Sequence, residues 1–234
     1  MKLIALGCGS AVHPSGSIAY AGEALAQGAD VVEVDVQLTA DKKLAVFHDT
    51  SLKNCFGVDK SCGELSSGEF LALRHTDNPM YPTHLLDHFF QCGIAPILIR
   101  YPMSVSAAVL DLVEEYGYAD RVILGVDGVR AVRQAKDRFP ETEVLGFIPD
   151  PALTPDFTAA GASCICLWES WLTEENIRRV QESGAKLWVM CGSSENGYPA
   201  GKPGVEDLCR ILALEPDGIL TGDIPWAKAV MAEF

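Results

Sequence analysis

Residues 31–49 of the chain read VVEVDVQLTADKKLAVFHD, an apolar segment that contains two acids and ends in a histidine and a third acid. Side chains of a β-strand alternate between its two faces, so Glu33 and Asp35 point one way while the neighbouring valines point the other way. The connection TADKK that follows is too short for a helix, and the next apolar run ends at His48. The stretch therefore predicts two strands in close succession, the first of which carries two acids among valines.

The rest of the chain alternates short apolar runs with amphipathic segments. Strands are expected at 3–9, 31–38, 44–48, 96–101, 121–126, 143–148, 163–167, 186–191 and 218–221. Helical patterns lie between most of them, for example at 17–28 and in a short helix that opens with a capping box of Ser66 and Glu69. Such alternation is typical of parallel strands joined by crossover helices. The number of strands favours a closed (β/α)8 TIM barrel over an open doubly wound sheet.

The length of the chain, 234 residues, suits one α/β barrel, although two ordinary domains would also fit. Hydrophobic residues make up 48%, which is enough for a large core. No linker rich in Pro, Gly or Ser divides the sequence. We therefore expect a single domain over residues 1–234, with a loop insertion at about 51–81.

Charge and cysteine usage limit the class of partner and the compartment. The net charge of −14 repels nucleic acid and anionic membranes, so neither is an expected partner. No window approaches the roughly 18 apolar residues of a membrane span. The eight cysteines form no CxxC pair, which favours free thiols in the reducing cytoplasm. Nothing in the sequence indicates the oligomeric state.

The two acids of the first quoted strand need a counter-charge. In a barrel they would face the interior near the C-terminal mouth, where TIM-barrel active sites lie. Two buried anions without a partner would protonate or destabilise the fold. A hard divalent cation such as Mg²⁺ or Ca²⁺ satisfies them with oxygen ligands, and so does a guanidinium, for which Arg100 is the obvious candidate. The residues alone leave both alternatives open.

Several motifs resemble the glycerophosphodiester phosphodiesterases along nearly the whole chain. The most specific is ADVVEVDVQLTADKKLAVFHDTSL at 29–52, which combines a Glu-x-Asp strand with Phe-His-Asp. Further matches are GEALAQGAD, LSSGEFLAL, PTHLLDHF, RFPETEVLGF and EPDGILTGDIP. The resemblance implies a TIM barrel of the PLC-like phosphodiesterase type. It also implies a place in glycerophospholipid metabolism, with a small phosphodiester as the ligand.

The chemistry implied by the resemblance is metal-assisted hydrolysis of a glycerophosphodiester to an alcohol and glycerol 3-phosphate. A divalent cation polarises the phosphate, and two histidines act as general acid and base. Carried over to this chain, Glu33 and Asp35 would be metal ligands and His48 would be one of the two histidines. Arg100 stands in the place of the family's lysine and is a further candidate catalytic residue.

The chain departs from the family pattern at four positions. Gly7 and Cys8 stand where the family has the His and Arg of its His-Arg-Gly tripeptide. Ser15 replaces the acid of the Glu-Asn-Thr segment, and Leu98 replaces the third metal carboxylate. The loss of one histidine removes one end of an acid–base pair, and positioned proton transfer contributes roughly 10²–10⁴ in rate.

These departures favour a site without a metal, in which Arg100 swings onto Glu33 and Asp35 and takes the place of the cation. We therefore expect a non-catalytic or weakly active relative that binds a phosphate-bearing or other small ligand and needs no cofactor. The alternative is a working phosphodiesterase with a modified site and a divalent cation. In that case His13 is a candidate substitute for the lost histidine, although its place beside Pro14 favours an ordinary surface loop residue.

Overall fold

The computed structural model describes residues 1–10, 14–192 and 198–234, and within them a closed barrel of eight parallel strands. The eight barrel strands are β1 Lys2–Ala5, β2 Val31–Leu38, β4 Ile97–Tyr101, β5 Val122–Val126, β6 Glu143–Phe147, β7 Cys164–Trp168, β8 Lys186–Met190 and β9 Gly218–Thr221. A further strand, β3 Leu44–Val46, is antiparallel. The barrel closes where β1 pairs with both β2 and β9, and β3 pairs antiparallel with β2 outside the closed ring. The predicted TIM barrel is confirmed.

Helices cover the outside of the barrel. In the described residues they are α1 Ile18–Ala26, α2 Lys53–Phe56, α3 Ser67–Ala72, α4 Leu86–Gln91, α5 Ser106–Glu115, α6 Val129–Arg138, α7 Thr154–Ala159, α8 Glu174–Glu182, α9 Val205–Leu212 and α10 Ile224–Glu233. The capping box predicted at the start of α3 is present, since Ser66 accepts from the Glu69 amide and Glu69 accepts from Ser66. None of these helices is both long and apolar enough to cross a membrane.

The valines and the acids of β2 face opposite sides, as the alternation predicts. Val32, Val34 and Val36 pack in the large apolar cluster between the barrel and its helices. Glu33 points into the barrel and is fully buried. The interior itself is apolar and is filled by a second cluster, whose members include Ile4, Leu98, Ile123, Leu145, Phe147, Cys166, Trp188 and Leu220. The acids therefore lie at the top of an apolar interior.

The first strand is shorter than predicted. The expected strand ran to Gly9, but β1 ends at Ala5 and a 3-10 turn follows over Leu6–Cys8. Gly7, Cys8 and Gly9 have φ values of 54°, 63° and 94°, which lie in the left-handed region and cannot continue a strand. Two of the three are glycines, for which this conformation carries no steric cost.

The segment 51–81, expected to be a loop insertion, contains helices α2 and α3 and its own apolar cluster. This cluster includes Phe56 and Phe70, whose rings meet edge to face. Asp41, in the β2–β3 connection, fastens α3 to the barrel by accepting hydrogen bonds from the Ser67 amide at 2.8 Å and the Ser67 hydroxyl at 2.6 Å. These bonds place the insertion beside the barrel mouth.

We expect Asp41→Asn to weaken this attachment in a pH-dependent way. Hydrogen bonds from Ser67 and Thr39 lower the pKa of Asp41 to about 2, below the roughly 3.9 of an unfolded Asp. The contribution of a lowered pKa is complete above the unfolded value and is lost as the pH falls through the folded value. Urea unfolding should therefore separate the variant from the wild type by more at pH 7 than at pH 2. An equal difference at both values would contradict the assignment.

Candidate functional site

A cavity of about 500 Å³ opens at the mouth of the barrel, at the C-terminal ends of β2 and β4. Its lining includes Asp35, Gln37, Phe47, His48, Arg100, Tyr101 and Asp127. Three of the residues singled out in the sequence, Asp35, His48 and Arg100, thus share one cavity. The fourth, Glu33, lies two residues before Asp35 on the same face of β2 and is fully buried.

Glu33 is held by the backbone of the first turn. Its Oε2 atom accepts a hydrogen bond of 2.7 Å from the Gly7 amide. Among the described residues, no amide or hydroxyl group donates to its Oε1 atom. Burial, and then the negative charge of Asp35, raise the pKa of Glu33 well above its usual range. In the metal-free protein this environment favours the neutral carboxyl.

Asp35 is the more accessible of the two acids. Burial raises its pKa, while the positive charge of Arg100 and the proximity of His48 oppose that rise. Its Oδ1 atom lies 3.9 Å from Nε of Arg100, at the outer limit of an ion pair. Asp35 is therefore the acid with the closer cation, while Glu33 is held by a backbone amide and by its contact with Asp35.

Arg100 reaches only one of the two acids. The strand register explains this, because Arg100 is the β4 partner of Asp35 and Leu98 is the partner of Glu33. The guanidinium carbon of Arg100 lies 4.5 Å from the centre of the Phe147 ring. The expectation that Arg100 bridges both acids is therefore wrong in its geometry: the guanidinium stacks on an aromatic ring and forms one long ion pair.

The arrangement does not fit a divalent cation. Leu98, fully buried, fills the position beside Glu33 where the resemblance implies a third carboxylate. One oxygen of Glu33 is already bonded to the Gly7 amide. Within the described part of the chain, no group of three or more His, Cys, Asp or Glu side chains is arranged to hold a metal ion. Mg²⁺ and Ca²⁺ are held by carboxylate oxygens together with waters and substrate phosphates, so the loss of the third carboxylate at Leu98 leaves Asp35 and one oxygen of Glu33 as the protein ligands on offer.

His48 lies at the rim of the cavity, just after β3. Its Nδ1 atom is 2.9 Å from Oδ1 of Asp49, and its side chain is 59% exposed. Gln37 fixes the backbone of this segment, since its Nε2 lies 3.2, 3.0 and 2.7 Å from the carbonyl oxygens of Phe47, His48 and Asp49. Sequence reasoning missed Gln37. It stands two residues after Asp35 on the same face of β2, and that spacing was the available signal.

Three of the four positions that depart from the family pattern, Gly7, Cys8 and Ser15, lie in or beside the turn that follows β1. A Cβ atom added at Gly7 would lie 2.6 Å from Oγ of Ser15 and 3.0 Å from Cβ of Ser10, so a histidine here needs both a strained φ and a shifted neighbour. Cys8 is buried, with its Sγ 3.7 Å from the Glu33 carbonyl oxygen. Burial raises the pKa of the Cys8 thiol, which keeps it protonated. His13, the candidate substitute histidine, lies outside the described residues.

The barrel and its mouth define a class: a TIM barrel with a Glu-x-Asp pair and a histidine at the C-terminal end. Residues 8–221 match the Glycerophosphoryl diester phosphodiesterase family, and the chain belongs to that family. A curated glycerophosphodiester phosphodiesterase of Caldanaerobacter subterraneus is 23% identical, over 90% of this chain and 89% of the relative.

Solved structures agree with the fold. A glycerophosphodiester phosphodiesterase from Agrobacterium tumefaciens superposes with a TM-score of 0.78 at 20% identity, covering 98% of this chain and 99% of that one. A phosphodiesterase from Oleispira antarctica, solved in complex with the product sn-glycerol-3-phosphate, superposes with a TM-score of 0.81 at 15% identity, over 99% of this chain and 97% of that one. At these identities the likeness establishes the fold, and the chemistry has to be argued from the residues of the site.

Proposed function

We propose that this protein binds a small phosphate ester in the barrel mouth and hydrolyses phosphodiesters weakly or not at all. The observation that carries the proposal is the pairing of Leu98 with Glu33 in adjacent strands. Where the family resemblance implies a cation between three carboxylates, this chain presents an apolar side chain, an acid bonded to a backbone amide and one accessible acid. The proposed ligand site therefore works without a divalent cation, and no Mg²⁺ or Ca²⁺ is part of it.

The shortage of acid–base groups supports the same proposal. His48 is the one histidine that lines the cavity among the described residues. Hydrolysis in the family scheme needs one group to take a proton from water and another to give one to the leaving alcohol. Gly7 has no side chain to fill the second role, and its backbone amide is engaged with Glu33.

A phosphate ester is the proposed ligand because of the Arg100 guanidinium and the size of the cavity, whose lining also carries Asp35 and Asp127. A cavity of about 500 Å³ accommodates a small molecule. Arg100 offers a guanidinium, whose planar fork matches the oxygens of a phosphate. The Oleispira antarctica relative binds sn-glycerol-3-phosphate, and we extend a ligand of that class to this chain.

A second candidate function is an active, metal-dependent phosphodiesterase, and the His48 segment favours it. The Nδ1 atom of His48 contacts Asp49, as a histidine oriented for proton transfer would, and the ring borders the cavity. In this candidate the imidazole would hold or deliver a proton at its Nε2 atom, and Glu33 and Asp35 would hold a cation that polarises the phosphate. This role of Asp35 and His48 is the one that the family resemblance implies.

Hydrolysis of a glycerophosphodiester panel separates the two candidates. Wild type and His48→Ala are assayed with Mg²⁺, Ca²⁺ or Mn²⁺ and with EDTA, and glycerol 3-phosphate is measured. We expect no turnover above the background of the variant under any condition. Turnover that requires a cation and disappears in His48→Ala would overturn the proposal in favour of the active enzyme. Asp59→Asn, in the insertion and outside the cavity lining, is a control for non-specific effects.

The cytoplasm is the proposed compartment, because all eight cysteines are free thiols in the structure.

We also propose that residues 1–234 form one domain, since the insertion packs directly on the hairpin of β2 and β3 through Asp41.

A further inference from the structure

We infer that Phe147, lying across Gly125, positions the Arg100 guanidinium as a metal-independent binding fork for phosphate esters. This inference rests on the proposed function and deepens it by naming the binding group and the residues that set it. Phe147 and Gly125 belong to two different strands, β6 and β5, and the family resemblance assigns neither of them a role in the chemistry.

The strand register brings the three residues together. Gly125 is the β5 partner of Arg100, so it lies directly beside Arg100 in the wall of the barrel. A Cβ atom at Gly125 would lie 2.7 Å from Cε2 of Phe147 and 3.1 Å from Cδ1 of Leu98. The missing side chain therefore leaves the gap that the Phe147 ring fills. Arg100 extends over this gap and contacts a residue two strands away.

The Phe147 ring holds the guanidinium of Arg100 in one place. The Arg100 guanidinium carbon lies 4.5 Å from the Phe147 ring centre, within the range of a cation–π contact. Phe147 is itself 8% exposed and packed in the barrel interior, so the ring is held in place. A guanidinium that lies on a fixed ring loses little rotamer freedom when it binds an anion, which favours binding.

The hydrogen-bonding groups of Arg100 remain available to a ligand. In the described part of the chain its only ionic contact is the 3.9 Å approach of Nε to Asp35, and no acceptor there takes a hydrogen bond from it. The Arg100 side chain is 30% exposed and lines the cavity. A guanidinium with free N–H groups in the lining of a cavity can donate in parallel to two phosphate oxygens.

The change in affinity caused by Asp35→Asn tests the inference, because a metal site and an arginine site predict changes in opposite directions. If a metal held the phosphate, Asp35 would be a ligand and its loss would abolish binding. If Arg100 holds the phosphate, Asp35 is a competitor for the same guanidinium and a like charge beside the anion. Asp35→Asn should then strengthen binding.

The experiment is calorimetric titration of the metal-stripped protein with sn-glycerol 3-phosphate in EDTA. We expect saturable binding by the wild type, about fivefold tighter binding by Asp35→Asn, and about tenfold weaker binding by Arg100→Lys, which keeps the charge and loses the fork. Phe147→Leu, which keeps apolar volume and removes the ring face, should weaken binding about threefold. Inorganic phosphate is titrated in parallel, and weaker binding than that of the ester supports an ester site.

Arg121→Lys is the matched control, because Arg121 also lies over an aromatic ring, that of Tyr118, at 5.4 Å and outside the cavity lining. It should leave the affinity unchanged. Binding that requires an added cation, or that Asp35→Asn abolishes, overturns the inference while the protein remains a phosphate-ester binder. Equal affinity in Arg100→Lys overturns it as well, and this variant needs no change in the core. Absence of binding with and without cations overturns the proposed function itself.

Discussion

Leu98→Glu should lower the free energy of unfolding by about 3–5 kcal/mol in metal-free buffer, because it places a carboxyl group without a counter-charge in the barrel interior. Leu98 is fully buried among apolar side chains, and its strand partner Glu33 is fully buried as well. The nearest cation of the mouth, Arg100, is already placed between Phe147 and Asp35. Urea unfolding followed by tryptophan fluorescence measures the loss.

Leu98→Gln is the matched control, since it has the shape of Glu without the charge, and Leu98→Met tests volume alone, with a cost below about 1.5 kcal/mol. Leu98→Glu also completes a set of three carboxylates with Glu33 and Asp35. We therefore expect Mg²⁺, Ca²⁺ or Mn²⁺ to raise the melting temperature of this variant and not that of the wild type. An equal rise in both proteins would show that the wild type already holds a cation.

Glu33→Ala should lower the free energy of unfolding by about 3 kcal/mol, because it leaves the Gly7 amide without an acceptor and opens a cavity. Glu33 is fully buried, and its hydrogen bond of 2.7 Å ties β2 to the left-handed turn after β1. Glu33→Gln keeps an oxygen for the Gly7 amide and should cost below about 1 kcal/mol. Thermal and urea unfolding of the two variants give the comparison.

The sign of the Glu33→Ala effect distinguishes a structural acid from a functional one. A carboxylate kept only to bind a metal is a strained, repelled group in the metal-free protein, so its removal stabilises the fold. Here Glu33 has a backbone partner, so removal should destabilise. A variant as stable as the wild type, or more stable, would refute the structural role of Glu33.

Much of the barrel could be predicted because its signals are local. The alternation in β2 depends only on the two-residue period of a strand, and the structure places Val32, Val34 and Val36 on one side and Glu33 on the other. The capping box of α3 is equally local, since both of its residues lie within one turn. The end of β1 could not be predicted from apolar composition, because it depends on the left-handed conformation of Gly7, Cys8 and Gly9.

The site was harder to predict because its geometry depends on register across strands. The sequence pointed to Asp35, His48 and Arg100, and the structure brings these three to one cavity. It could not show that Arg100 would lie on Phe147, since that contact requires Gly125 to stand in register between them. Gln37 was missed for a similar reason: its partners, the carbonyls of Phe47, His48 and Asp49, lie across a hairpin.

Calorimetric titration of the metal-stripped wild-type protein with Mg²⁺, Ca²⁺ and Mn²⁺ measures whether the mouth, with Leu98 beside Glu33, holds a divalent cation. We predict no saturable binding in the wild type and one-site binding in Leu98→Glu. One-site binding by the wild type that disappears in Asp35→Asn would contradict this prediction and would assign the mouth to a conventional metal-dependent phosphodiesterase.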